Sequence, residues 1–351
     1  MVLPRGLKSR TLRWVRTALF ASVLTASGMT AGATFTNPVL PSGPDPWVIR
    51  VGKTYYLMVT RGDKLTIRKT NDITKVAAAP EVTVWTPPAD GPNARSIWAP
   101  ELHLIGRKWF IYYTAADSAH DDNLHRSIFV LENASPDPTK GTWIDRGRVN
   151  TRYSAIDATI FNYRNRFYFV YALQLGAESR LAIAQLRTPW TLQGPEVIIS
   201  QPSKPWERAI YPINEAPEFI LGPKGDLFLT FSASACTSDE YAIGLLSAPA
   251  GSNPLNPRAW TKSPGPVVSK APDVAVFAPG HNGFFSSPDG KQHWIVFHAN
   301  PGPSMGCTSN RGTWIEPFKF GADGRPVFLP PSGKQDRLAA PSGQATGPIR
   351  P

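Results

Sequence analysis

Asp45-Pro46-Trp47-Val48-Ile49-Arg50-Val51-Gly52-Lys53-Thr54-Tyr55-Tyr56-Leu57-Met58-Val59-Thr60 decides the fold. A short apolar run, a Gly52-Lys53 turn and an aromatic-rich return describe a β-hairpin. Four further copies follow. The second runs from Ala99 to Ile105, turns at Gly106-Arg107-Lys108 and returns over Trp109 to Thr114. The third starts at Asp157, turns at Arg164-Asn165-Arg166 and returns over Phe167 to Ala172. The fourth starts at Glu215, turns over Gly222 to Asp226 and returns over Leu227 to Phe231. The fifth starts at His281, turns at Pro288-Asp289-Gly290 and returns over His293 to His298.

Placed seven residues before each turn, the leading positions are Asp45, Ala99, Asp157, Glu215 and His281, spaced by 54, 58, 58 and 66 residues. Hairpin-led repeats at this period, with no helical pattern between them, predict an all-β, single-domain five-bladed β-propeller. The first strand of each propeller blade lines the central channel, so the leading positions form a ring at one channel mouth. Four of the five are Asp, Asp, Glu and His, and the active site is placed there.

The N-terminal segment reads differently. Arg5, Lys8, Arg10, Arg13 and Arg16 precede a small and apolar run over Thr17 to Ser27 and the cleavage-like Ala31-Gly32-Ala33. Residues 1–33 are expected to be a secretory signal, its apolar run too short to span a bilayer. Export to the extracellular space follows, and no membrane association of the mature protein is expected. Without those five basic residues the formal net charge falls from +11 to +6. The remaining Lys and Arg are scattered, with no basic run interleaved with aromatics, so no nucleic-acid partner is expected.

Residues 34–330 form the expected catalytic propeller. With 11 Trp, 10 Tyr and 17 Phe against 28 Gly and 36 Pro, the composition suits many short punctuated strands. From residue 331 to 351, Pro, Ser, Gly, Ala and Gln dominate, and a poorly ordered tail is expected. Cys236 and Cys307 follow the aromatic strands of the fourth and fifth copies, which neighbouring blades bring close. A disulfide is expected in an exported protein, two separate free thiols being the alternative.

Two Asp and one Glu around a channel mouth suit glycoside hydrolysis. One carboxyl group protonates the leaving oxygen, one activates water, and a third can hold the acid's pKa up and orient it. Metal binding competes, since three carboxylates and a His also suit a hard cation, but ligand spacing within one loop is absent. Trp47, Trp98 and Tyr153 lie near ring positions and offer faces for a sugar, although aromatics in propeller strands usually pack between blades. Trp98 is the favoured platform because it precedes the one ring position without a titratable side chain.

Pro44-Asp45-Pro46, Trp98-Ala99-Pro100-Glu101, Ile156-Asp157-Ala158, Asn214-Glu215-Ala216-Pro217 and Gly280-His281-Asn282 together resemble glycoside hydrolase family 43. The resemblance covers residues 37 to 330 and implies a five-bladed propeller that cleaves arabinose- or xylose-containing polysaccharides with inversion. It implies Asp45 as general base, Glu215 as general acid and Asp157 as the carboxylate that tunes and orients the acid. Glu218 and Glu101 fall inside their strands and are set aside as structural. Phe231 to Cys236, Tyr241 to Leu246, His281 to Phe285 and Trp294 to Asn300 resemble the exo-acting α-1,5-L-arabinofuranosidases. Ala278-Pro279-Gly280-His281 and Arg311 to Glu316 depart from the forms expected of that group. Trp98, Ala99, His281 and Arg311 are the candidate sugar contacts. The resemblance also implies a water-coordinated calcium or sodium ion beside His281, the alternative being a His that bonds a buried water and braces the carboxylates. His103, His120, His125, His293 and His298 show no metal spacing and are assigned to scaffold or surface.

The expectation is therefore an exported, monomeric, inverting exo-α-L-arabinofuranosidase acting on plant cell-wall arabinan or arabino-oligosaccharides with no required cofactor. A β-xylosidase or endo-arabinanase on the same fold is the alternative, and a non-catalytic carbohydrate-binding propeller the remote one.

Overall fold

The computed structural model describes residues 33–344. The expected secretory signal lies, but for its last position, outside the described residues. Blade 1 comprises Trp47–Val51, Thr54–Met58, Leu65–Thr70 and Glu81–Trp85; blade 2, Arg95–Ile105, Lys108–Ala116, Arg126–Asn133 and Ile144–Arg148. Blade 3 comprises Ala155–Tyr163, Arg166–Leu175, Glu178–Thr188 and Thr191–Ser200; blade 4, Asn214–Leu221, Leu227–Ala233, Ala242–Ala248 and Thr261–Lys262. Blade 5 comprises Phe277–Ser286, His293–Asn300, Gly312–Phe320 and Pro326–Val327. Every sheet is antiparallel and keeps chain order from axis to rim, so the five hairpins expected from the sequence are the two inner strands of each blade.

The aromatic strands alternate faces, and each blade buries both against its neighbours. Tyr112 and Phe169 pack between blades 2 and 3, Leu181 and Phe231 between 3 and 4, Trp314 and Ile243 between 4 and 5. Tyr55 and Trp294 pack between blades 5 and 1, and Ile67 and Ile111 between 1 and 2. Because both faces of each sheet are covered, the blades form one hydrophobic ring.

Closure comes from the chain before blade 1. The Asn37 side chain accepts the Ile315 N–H and donates to the Ile315 carbonyl, each at 3.0 Å, as a strand neighbour would. Val39 and Gly43 then donate to the Thr313 and Arg311 carbonyls. The stretch from residue 331, expected to be a loose tail, is held against the propeller as far as Gln344. Ser332 donates to the buried Glu316 carboxylate at 2.9 Å, Leu338–Ala339 pairs with Thr34–Phe35, and the Gln344 amide donates to Asp72. Its composition signalled disorder, but its few polar contacts satisfy groups that the propeller buries.

One device sets up the channel mouth. The inner strands of blades 2 to 5 carry a β-bulge at the ring, seen as pairing shifts at Trp98/Glu101, Ile156/Thr159, Glu215/Glu218 and Gly280/Gly283. At the mouth Asp45, Ala99, Asp157, Ala216 and His281 adopt left-handed backbone conformations, with φ of 52°, 45°, 54°, 48° and 48°. For residues other than Gly this costs roughly 1–3 kcal/mol each, and it persists where the surroundings enforce it. Side chains on the second strand of the preceding blade provide that enforcement. Thr60, Thr114 and Ser232 hydroxyls accept the N–H groups of Ala99, Asp157 and His281 at 2.7, 3.1 and 2.8 Å, and His298 Nδ1 accepts that of Asp45 at 3.1 Å.

Two residues beyond each ring position lie Trp47, Glu101, Thr159, Glu218 and Gly283. Glu218 hydrogen-bonds both Glu101 and Thr159, so these side chains from different blades meet across the axis. Trp47, expected as a sugar platform, plugs the channel instead. Its indole N–H donates to the Leu102 carbonyl at 2.8 Å, its ring lies against His103, and Gly283 leaves room for it.

Replacing Thr114 with the isosteric Val leaves the buried Asp157 N–H without an acceptor. The expected loss is roughly 1–3 kcal/mol of stability, read as a lower urea midpoint; an unchanged midpoint would contradict the anchoring role.

Candidate active site

A cavity of about 300 Å³ opens at the channel mouth and is lined by Asp45, Asp157, Glu215, His281, Trp98 and Arg311 among others. Most residues chosen from the sequence therefore converge. Ala99 does not line the cavity, although it keeps the ring conformation. Tyr153 lies in a separate crevice of blade 3 beside Arg152 and Glu196. Tyr153 precedes the inner strand of blade 3, which starts at Ala155, and so stands outside the ring.

The ring register also differs by one residue in blade 4. Pairing across the hairpin makes Glu215 equivalent to Trp98, Ile156 and Gly280, and the left-handed residue is Ala216. Counting back from the turn misplaced it because this hairpin closes through the longer Gly222–Asp226 loop, with Leu221 paired to Leu227. Glu215 consequently enters the cavity from the position that Trp98 and Ile156 occupy in blades 2 and 3.

The Asp45 carboxylate is held by one cation and flanked by two imidazoles. Arg311 Nη1 donates to its Oδ1 at 2.7 Å, and His298 and His281 Nδ1 lie 3.2 and 3.4 Å from the same oxygen. Burial alone would raise its pKa, but Arg311 and the histidines outweigh burial and hold the group well below the usual carboxylate range. His298 stays neutral, pushed down to about 3 by burial and by Arg311, which fits its acceptance of the Asp45 N–H. Asp45 is thus ionised near neutral pH, as the expected role of base requires.

Glu215 is the opposite case. Burial, with the Asp45 charge nearby, pushes its pKa up to about 7, while the Tyr241 hydroxyl, donating at 2.7 Å, pulls the other way. Asp157 is also raised, by burial and by Glu215, so the two titrate as a pair that holds one proton near neutrality. Both groups are raised, and the Ala216 N–H, which bonds Asp157, is a lesser influence that favours the charged form of Asp157. That bond exists because Ala172 occupies, in blade 3, the place of the Thr60, Thr114 and Ser232 acceptors. The Ala216 amide, lacking an anchor in the neighbouring blade, is free to orient Asp157.

Below the cavity, burial and the Glu101 carboxylate push Glu218 well above its ordinary range, and Glu101 Oε2 sits 2.8 Å from His103 Nε2. This second carboxyl pair is sealed in the channel and does not line the cavity, so Glu101 and Glu218 are structural as expected.

Sequence reasoning missed three contributors. His298, assigned to scaffold or surface, braces the base; its signal was the column Thr60, Thr114, Ser232 and His298, where polar acceptors end the aromatic strands. Tyr241 steers the acid, and Gly280 is what admits its ring, since an added Cβ would lie 2.0 Å from Tyr241 Cε1. Arg126 covers one face of Trp98, its guanidinium carbon 3.7 Å from the ring centroid, and is fixed by Asp121 at 2.9 Å. The other face of Trp98 is left for the cavity. The expected disulfide between Cys236 and Cys307 is present and lines the same cavity.

A protonated and an ionised carboxyl group facing one sugar-sized cavity at a propeller mouth define a glycosidase. The chain belongs to the glycosyl hydrolases family 43, whose profile matches residues 35–326. It is 38% identical over 275 residues to an extracellular exo-α-(1→5)-L-arabinofuranosidase of Streptomyces chartreusis, spanning 76% of this chain and 83% of that protein. An enzyme of the same name from Streptomyces avermitilis is 34% identical over 338 residues, spanning 91% of this chain and 69% of the other. The crystal structure of an α-L-arabinofuranosidase from Lactobacillus brevis superposes with a TM-score of 0.81 at 31% identity, covering 86% of this chain and 98% of that one.

Two neighbouring glutamates separate the roles. Glu215→Gln is expected to lower kcat on an unactivated substrate by about 10²- to 10⁴-fold, whereas Glu218→Gln, replacing a group that is already neutral, keeps kcat within a few-fold. Equal losses in steady-state assays would contradict the assignment. The pH profile carries a second test. Activity should decline above about pH 7 as Glu215 loses its proton. Because the Tyr241 hydroxyl favours ionised Glu215, Tyr241→Phe should move that alkaline limb to higher pH; a shift to lower pH would refute the role of Tyr241.

Proposed function

We propose that the protein is an exported, inverting exo-α-L-arabinofuranosidase that releases L-arabinose from α-1,5-linked arabinan and arabino-oligosaccharides. The observation that carries this reading is that the three carboxyl groups line one small cavity. At about 300 Å³ it lies at the small end of ligand sites, with both working carboxyl groups on its wall, which suits one terminal sugar residue rather than the middle of a chain. The relatives named exo-α-(1→5)-L-arabinofuranosidases support the choice of sugar. Export is supported by the disulfide and by the word extracellular in the names of those relatives.

In the proposed mechanism the terminal arabinofuranose enters the cavity with its apolar face toward the free side of Trp98. Glu215, protonated below about pH 7, donates to the glycosidic oxygen. Asp45, ionised and fixed by Arg311, removes a proton from a water on the opposite face of the ring. Asp157 takes the Ala216 N–H and keeps Glu215 in its protonated form. Inversion requires the Asp45 and Glu215 carboxyl groups to stand roughly 6.5–9.5 Å apart, with water between base and sugar. Arg311 acts first on the base, and its place on the cavity wall allows a sugar contact as well.

The donors beside His281 fit the calcium or sodium ion that the family resemblance implies. Burial holds the imidazole neutral, which leaves a ring nitrogen able to face an ion or its water. No cluster of three ligating side chains is assembled among the described residues, so His281 would hold the ion with water completing its shell. Such an ion would supply positive charge beneath Asp45 and Asp157.

Digestion of debranched α-1,5-arabinan by the mature protein tests the reading, with the first-formed anomer followed by proton NMR. Arabinose alone from the earliest time, released as the β-anomer, is the expected result. A ladder of oligosaccharides would make the enzyme an endo-arabinanase, and xylose from xylo-oligosaccharides with no product from arabinan would make it a β-xylosidase. First release of the α-anomer would rule out inversion.

A further inference from the structure

Two loops frame one side of the cavity. The first follows the second strand of blade 4 and runs from Ser234 to Tyr241; the second follows that of blade 5 and runs from Pro301 to Arg311. Each ends on a residue that holds a working carboxyl group. Tyr241 donates to Glu215 at 2.7 Å, and Arg311 donates to Asp45 at 2.7 Å. The loops are joined by the Cys236–Cys307 disulfide, and Ser304 N–H donates to the Asp239 carboxylate at 2.9 Å on their exposed side. Cys236 lies a few residues before Tyr241, and Cys307 a few before Arg311. Both cysteines line the cavity alongside the three carboxylates.

We propose that this disulfide is a wall of the sugar site and sets the spacing of acid and base, beyond any contribution to stability. The inference rests on the one-sugar reading of the cavity. A furanose presents C–H faces as well as hydroxyls, and the cavity wall offers both polar groups, among them Asp45, Asp157, Glu215 and Arg311, and apolar surface. The disulfide shares the apolar contact with Pro44, Trp98, Ile156 and the Tyr241 ring, and its sulfurs are soft and polarisable. The positional argument is independent of that contact. Acid and base sit on different blades, and the disulfide is the covalent link between the loops that steer them. A misplacement of about 1 Å in such a constellation can cost about a hundredfold in rate.

Reduction of the folded enzyme by a dithiol provides the test. The disulfide accepts two electrons and two protons to give the Cys236 and Cys307 thiols, and the reductant becomes a cyclic disulfide. The reduced enzyme should keep its circular dichroism at the assay temperature yet lose at least tenfold in kcat/KM on an aryl α-L-arabinofuranoside, through a higher KM and a lower kcat. The Cys236→Ala/Cys307→Ala double variant should behave likewise. A disulfide that only stabilises would lower the melting temperature and leave KM and kcat within twofold, and that result would overturn the proposal.

A second measurement does not depend on the reduced protein staying folded. The initial rate of reduction of the oxidised enzyme should fall in proportion to site occupancy as L-arabinose is added. Protection by neither arabinose nor xylose would overturn the wall assignment. Protection by xylose alone would sustain the wall and overturn the arabinose reading.

Discussion

The structure depends on a strained backbone residue at the mouth of each blade and on the hydrogen bond that enforces it. A bulged, left-handed residue bends the inner strand and re-aims its neighbours' side chains into the channel mouth. At Asp45, Ala99, Asp157 and His281 the enforcing acceptor belongs to the preceding blade, so these four positions are held from two blades at once. The site therefore exists only when the ring of blades is closed. Closure itself rests on the Asn37 side chain and the strand-like contacts of Val39 and Gly43 with the last blade. Catalytic geometry and global fold are in this sense one construction.

Electrostatics divides the carboxyl groups that this construction brings together. Asp45 and Asp157 are buried and Glu215 is partly so, and withdrawal from water alone would raise every one of them. Asp45 escapes because Arg311 donates directly to it, whereas Glu215 has a neutral phenol for its partner. The difference between a cationic and a neutral donor is what keeps one group ionised and lets the other hold a proton near neutrality, as the proposed base and acid require. The missing hydroxyl at Ala172 completes the arrangement by leaving the Ala216 amide for Asp157.

The channel beneath the site shows why so polar a mouth does not destabilise the axis. Trp47 fills the channel and is matched by the absent side chain of Gly283. Glu101 and Glu218 pair there, Glu218 keeping its proton, so the next layer carries little excess charge. The polar chemistry is confined to the cavity, with apolar interblade packing around it.

From the sequence alone, the five hairpins, their order and the residues that meet at one end of the channel were legible. Strand alternation, turn chemistry and repeat spacing are local properties, and Asp45, Asp157, Glu215, His281 and Trp98 followed from them, whereas Arg311 came from the family resemblance. The disulfide was legible too, because neighbouring blades bring the ends of equivalent strands together. The blade 4 register, the plug formed by Trp47, the support from His298 and Tyr241, and the ordering of residues 331–344 were decided only by the tertiary structure. Each of these depends on which blade packs against which and at what depth. Pairing across a longer hairpin loop, an aromatic ring facing a glycine and a hydroxyl reaching the next blade all join residues far apart in the chain. Local pattern therefore specifies which side chains are available, and blade-to-blade packing specifies which of them meet and in which charge state.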